Sequence, residues 1–117
     1  LAEKVRMLTE KEIQFLSSLF DILRDKLLDS QLNVEQLCSL LGISKSQLNR
    51  KTRALADFSP NQLIQEVRLV NSLSLLKDQN QTVAEVAYNL GFNTPTYFTR
   101  IFKKRFGFAP SHYSRLS

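Results

Sequence analysis

Cysteine and histidine are almost missing from this 117-residue chain, which holds one of each, Cys38 and His112. A lone cysteine excludes an intramolecular disulfide framework, and one cysteine with one histidine assembles no zinc set, so no metal site is expected. A reducing cytoplasm suits such a chain. Glycine and proline are also scarce, three of each. No segment sustains the period-two alternation of β-branched residues that marks a strand, so helices with short breaks are predicted. No apolar run approaches the roughly 20 residues that cross a bilayer, and no basic segment followed by an apolar block stands at the start. The means of catalysis are missing too: Cys38 falls at a packed small-residue position, His112 lies near the end, and neither paired carboxylates nor a phosphate-cradling glycine loop occurs. The expectation is therefore a protein that is not an enzyme and takes no cofactor. The chain opens on Leu1 rather than Met, which predicts a piece of a longer protein with further domains.

What is present is positive charge, unevenly placed. The net charge is +5 and the isoelectric point near 9.6. From Leu1 to Ile43 there are five Lys or Arg against seven Asp or Glu, whereas from Ser44 to Ser117 there are eleven against four. A basic region of this kind is the footprint expected for a partner bearing phosphates, although a soluble basic surface explains the charge equally well. The length fits one compact domain or two very small ones, with a modest core that needs no cross-link.

Helix starts are written clearly. A capping box pairs a hydroxyl residue with Glu or Gln three positions later, each satisfying an orphan backbone donor. Thr9 with Glu12, Ser44 with Gln47, Ser59 with Gln62 (Pro60 between them) and Thr82 with Glu85 fit the pattern. Asn33 before Val34, and Thr94 before Pro95, supply two further starts. Six helices are predicted, with a short seventh after Pro110. The first, about Glu10 to Leu28, steps Ile13, Leu16, Phe20, Leu23 and Leu27 along an apolar face directed at a core. The long helix from about Pro60 to Asp78 carries Leu63, Ile64, Val67, Val70, Leu73 and Leu76, and would span roughly 28 Å.

The strongest signal is internal. VEQLCSLLGISKSQLNRKTRAL, Val34 to Leu55, resembles VAEVAYNLGFNTPTYFTRIFKKRF, Val83 to Phe106, 49 residues later. In each copy an apolar residue and a small one, Leu37-Cys38 or Val86-Ala87, precede a glycine, Gly42 or Gly91. That glycine supplies the left-handed position that turns the chain into a second helix. Ile43 or Phe92 after the turn, and Leu48 or Phe98 within the second helix, lock the pair, which is helix-turn-helix grammar. The second copy has one extra turn residue.

At about 100° per residue, Leu48 directed inward takes Thr52 and Leu55 with it and leaves Ser46, Arg50 and Arg53 outside, with Asn49 on the flank. With Phe98, Ile101 and Phe102 inward, Thr96, Arg100 and Lys103 point out, flanked by Thr99 and Lys104. Arg50, Asn49 and Arg100 suit base edges in a major groove. Lys45, Lys51, Lys103 and Lys104 suit phosphate oxygens, which fix register without reading sequence. A solvated helix face is the bland alternative for either copy alone; two matched basic faces favour duplex DNA.

From about Asn33 to Leu116 the chain resembles the AraC/XylS family of transcription regulators. The resemblance is carried by VAEVAYNLGFNTPTYFTRIFKKRFGFAPSHY, Val83 to Tyr113, with its Ala87-Tyr88 and Gly91-Phe92 pairs, Tyr97-Phe98, Phe102-Lys103-Lys104, Gly107, Pro110 and Tyr113. Ser44, Leu48, Arg50 and the Arg68-Leu69 pair extend it to the first copy. The resemblance implies an all-α fold: two helix-turn-helix, homeodomain-like three-helix subdomains joined by a long linker helix, each entering one of two successive major grooves. The organisation it predicts is an N-terminal segment and amphipathic helix over 1–32 packed on a first unit at 33–59, a linker helix at 60–79 and a second unit at 80–117.

Family base contacts map onto Ser46, Asn49, Arg50, Thr96, Thr99 and Arg100, while the phosphate contacts expected from residue chemistry are Ser44, Lys45, Lys51, Arg53, Lys103 and Lys104. Pro95 also falls on a contact position but offers no hydrogen-bonding side chain. Three positions depart from the pattern: Asp57 replaces a usual glycine and Thr52 a large apolar residue, both softening the first unit, and Ala109 replaces a serine cap. The opening helix, with Arg50-Lys51 and the Leu55 region, is similar to C-terminal output domains of hybrid two-component regulators. That likeness implies an upstream receiver domain, a homodimer in the full-length protein and a parent chain anchored in the inner membrane; the family resemblance implies activation of transcription, with RNA polymerase as the expected partner. The rival expectation is a protein-interaction module of the same fold without DNA binding, which predicts neutral or acidic second helices.

Overall fold

Each of the first six helices begins where a side-chain oxygen meets the unpaired amide donors of a first turn. The computed structural model describes residues 7–29, 31–78 and 80–115. Among them are seven helices and no strand: α1 (Glu10–Lys26), α2 (Val34–Leu41), α3 (Lys45–Ala56), α4 (Pro60–Leu75), α5 (Val83–Asn89), α6 (Pro95–Phe106) and α7 (Pro110–Arg115). The four capping boxes form at Thr9, Ser44, Ser59 and Thr82, with the hydroxyl accepting the amide three residues on and the Glu or Gln accepting the cap amide. Asn33 and Thr94 cap α2 and α6. Helix α7 has no hydroxyl cap; Pro110 stands at its first position, and Ala109 O accepts the His112 and Tyr113 amides.

Helix ends follow the backbone. Gly42 ends α2 at φ 69° and its N–H bonds to Cys38 O. Gly107 does the same for α6 at φ 89°. Asp57 takes this left-handed position after α3, at φ 61°, the one non-glycine with positive φ among the described residues. Helices α1 and α4 stop two and three residues short of the predicted ends, Leu28 and Asp78. Asp29 Oδ1 accepts the Gln31 amide and Asp78 Oδ1 the Asn80 amide, each at 2.8–2.9 Å, so a carboxylate folds the chain into a local turn that competes with another helical turn. At 16 residues, α4 spans roughly 24 Å.

Two apolar cores form on either half of α4. The first gathers Leu19 and Leu23 of α1, Leu32, Leu37 of α2, Leu48 of α3, and Leu63 and Ile64 of α4. The second gathers Leu69 of α4 and Leu76 at its C-cap with Val86, Ala87, Leu90, Phe92, Phe98, Ile101 and Phe102. Helix α4 thus belongs to both units, and α1 is a wall of the first. The predicted inward faces need correction at three positions: Ile13, Phe20 and Val70 are 53%, 47% and 48% exposed. Leu19 and Leu69, one position earlier than Phe20 and Val70, are buried instead; one residue is about 100° of helix rotation, so a wide apolar arc leaves its margin in solvent. Thr52 is buried, and its hydroxyl donates to Asn49 O at 3.3 Å, so this hydroxyl is not left as an orphan donor.

Candidate nucleic-acid interface

The repeat seen in the sequence is a repeat in space. Helices α2 and α3 pack around Leu37 and Leu48, and α5 and α6 around Val86 and Phe98, all four residues fully buried. With these anchors inside, the opposite face of each second helix lies in solvent. On α3, Ser46, Asn49, Arg50 and Arg53 are exposed, and on α6, Thr96, Arg100, Lys103 and Lys104 are exposed, with Thr99 half-buried on the flank.

Neighbours hold several of these side chains in place. Arg53 Nε donates to Asn49 Oδ1 at 3.0 Å, joining two predicted DNA contacts one helical turn apart. The Arg100 guanidinium lies over the Tyr97 ring, 5.2 Å from its centre, which favours one direction for a long cation. Ser44 is the cap of α3: its hydroxyl accepts the Gln47 amide at 3.1 Å and keeps its hydrogen to donate.

Two lysines are engaged within the protein. Lys45 pairs with Glu35 of α2. Its hydrogen bond and charge raise the Lys45 ammonium above its ordinary value and hold the Glu35 carboxyl below its own. Lys51 is half-buried, with its ammonium 5.1 Å from the centre of the Phe15 ring on α1. Its position on α3 faces α1 rather than the outer surface.

Residues outside the predicted set tie the scaffold together. Arg68 of α4 donates to Asp29 O at 2.9 Å, fastening the α1–α2 connection to the linker helix; burial lowers its guanidinium from the usual value, partly offset by the Asp29 charge. Tyr97 and Arg105 of α6 reach Gln65 and Glu66 of α4. They border an open cleft of about 700 Å³ that is also lined by Phe58, Leu69, Arg100 and Lys104. The helical rotation that places Arg100 outside places Arg105 on the inner side with Phe98, a signal present in the sequence. Among the described residues no group of three or more His, Cys, Asp or Glu is placed to hold a metal, and no helix is long and apolar enough to cross a membrane.

Two copies of one frame, each turning an exposed basic second helix outward and both built on a shared helix, define a tandem helix-turn-helix DNA-binding domain. The chain belongs to this family, in its AraC/XylS type: residues 37–116 match the family model described as a helix-turn-helix domain. Among relatives, Histidine kinase P4 of Formosa agariphila is 35% identical over 100 residues, 86% of this chain and 7% of that protein. The C-terminal domain of AraT, a response regulator from Geobacillus stearothermophilus, has the same fold, with a TM-score of 0.79 at 23% identity over 96% of this chain and 89% of that one. The DNA-binding domain of AdpA, solved in complex with a target DNA, gives a TM-score of 0.74 at 27% identity over 85% and 91% of the two chains. The chain spans well under two thirds of its curated relatives, from 7% of the kinase to 51% of a regulator from Pseudoalteromonas carrageenovora.

Proposed function

We propose that this chain is the sequence-specific, double-stranded DNA-binding output domain of a transcription regulator, with α3 and α6 entering two successive major grooves. The observation that carries this reading is the pair of exposed basic faces on matched frames, α3 with Arg50 and Arg53, α6 with Arg100, Lys103 and Lys104. Arg50 and Arg100 grip guanine through paired hydrogen bonds, and Asn49 suits adenine, with its orientation set by Arg53. Ser46, Thr96 and Thr99 contribute shorter contacts to base edges. Ser44, Lys45, Lys51, Arg53, Lys103 and Lys104 take phosphates, Lys45 and Lys51 only after leaving Glu35 and Phe15.

In the domain organisation that accompanies this reading, 1–32 supports a first unit at 33–59, a linker helix covers 60–79 and a second unit covers 80–117. The likeness to a histidine kinase and to a response-regulator output domain supports a two-component parent with an upstream receiver, acting as an activator in the cytoplasm through RNA polymerase, as a homodimer and without catalysis by this domain. Anchoring of that parent in the inner membrane belongs to the same reading.

Selection of bound duplexes from a random pool tests it. The expected product is two conserved half-sites about 10–10.5 base pairs apart, one helical turn. Recovery of a single half-site would sink the two-groove geometry. Log affinity should also fall steeply with log salt, because phosphate contacts release counterions; a flat response would favour a protein-interaction module.

A further inference from the structure

Helix α6 is tied to the linker helix by two side chains eight residues apart. Tyr97 Oη donates to Gln65 Oε1 at 3.0 Å, and Arg105 Nε lies 2.7 and 2.9 Å from the two carboxylate oxygens of Glu66. These attachment points lie roughly 12 Å apart along α6, yet they land on consecutive residues of α4. Two struts spreading from one turn of α4 close a triangle, which fixes the angle between the helices where a single contact would act as a pivot. The apolar contact between them is non-directional and tolerates sliding. Because α4 is seated in the first core through Leu63 and Ile64, the struts relate the orientation of α6 to that of α3.

The charges fit this role. Glu66 is one of four acidic residues from Ser44 onward, against eleven basic ones, and it costs affinity near a polyanion unless it has another task. Its side chain is 18% exposed and that of Arg105 49%. The bond is charge-assisted and therefore stronger than a neutral one. Arg105 Nε is turned toward Glu66, although the residue is exposed like Lys103 and Lys104 on the same turn.

We infer that the Glu66–Arg105 and Gln65–Tyr97 struts set the half-site spacing this domain accepts, which makes Glu66 and Tyr97 positioning residues for DNA selection. The inference rests on the two-groove reading above. One base pair inserted between the half-sites offsets them by about 3.4 Å and about 35°.

The test uses the duplex recovered from the random pool and the same duplex carrying that insertion. The native chain should lose roughly tenfold or more on the inserted duplex, the scale of one mismatched base pair. The double variant Tyr97→Phe/Glu66→Gln, which keeps both side-chain shapes, should lose no more than about threefold while selecting the same half-site sequences. Glu66→Gln alone should also steepen the salt dependence by about one counterion, as Arg105 becomes available to phosphate; a merely structural role would not move that slope. Thermal unfolding shows whether each variant is folded. A folded double variant that keeps the native discrimination overturns the inference, and so does one that loses both duplexes equally. If the native chain itself ignores the insertion, the two-groove reading fails before the struts are reached.

Discussion

In the proposed reading, single residues on α3 and α6 divide into those that read bases and those that hold the domain to the backbone, and substitution would separate them. Arg50→Ala and Arg100→Ala should each weaken binding to a selected duplex by about 1–3 kcal/mol and relax preference at one base pair, whereas Lys103→Ala should weaken all duplexes alike. Anisotropy titrations on selected and scrambled duplexes distinguish the two; equal losses on both would remove Arg50 or Arg100 from base reading. Lys45 is a different case: it pairs with Glu35, which in the proposed complex would compete with phosphate for it. Glu35→Gln should therefore steepen the salt slope by about one. The Glu35 carboxyl is held below its usual value by Lys45, so the pair contributes to folding above the ordinary carboxylate range, and that contribution fades as pH falls through the lowered value. Asp57, at φ 61°, carries a strain that glycine would not; Asp57→Gly should stabilise the fold by roughly 0.5–1 kcal/mol in thermal or urea unfolding. An unchanged or lower midpoint would show that the Asp57 side chain makes good that strain.

At the scale of the helix, what the sequence displayed was local chemistry and what it hid was tertiary. The four capping boxes needed only a hydroxyl and a Glu or Gln three residues apart, and all four formed. The outer faces of α3 and α6 followed from rotation about Leu48 and Phe98. The margins of the apolar arcs did not, because Phe20 and Leu19 are both plausible core residues until the neighbouring helix decides which is covered. The early stops of α1 and α4 were legible in Asp29 and Asp78, but the apolar residues just beyond the observed ends, Leu27, Leu28 and Leu76, pointed the other way. Lys51 and Phe15, Lys45 and Glu35, and Arg105 and Glu66 meet only once the helices are packed, so no spacing rule within a single helix finds those pairs. Gly42 offers a clean test of the turn. At φ +69° with no atom within 4 Å of a built Cβ, Gly42→Ala should cost about 1–2 kcal/mol through backbone conformation alone. A neutral result would mean that the α2–α3 turn can rearrange.

Across the whole molecule the two cores share α4, so neither unit owns a complete set of walls. Phe98→Ala in the second core should cost about 3–5 kcal/mol and Leu48→Ala in the first about 2–5 kcal/mol, and both should lower one common unfolding transition rather than split it. All three tyrosines, Tyr88, Tyr97 and Tyr113, lie in the second half, so tyrosine fluorescence reports that half while far-ultraviolet dichroism reports every helix. Coincident curves from the two probes are expected; separate midpoints would mean that α4 does not couple the cores. The shared helix also limits how such a domain can be taken apart. Severing the polypeptide anywhere between residues 60 and 75 would strip a lining from both pieces at once. A gene split there should yield two insoluble fragments that regain activity only when co-expressed, whereas a nick in the loop after residue 78 should leave a working, non-covalent pair.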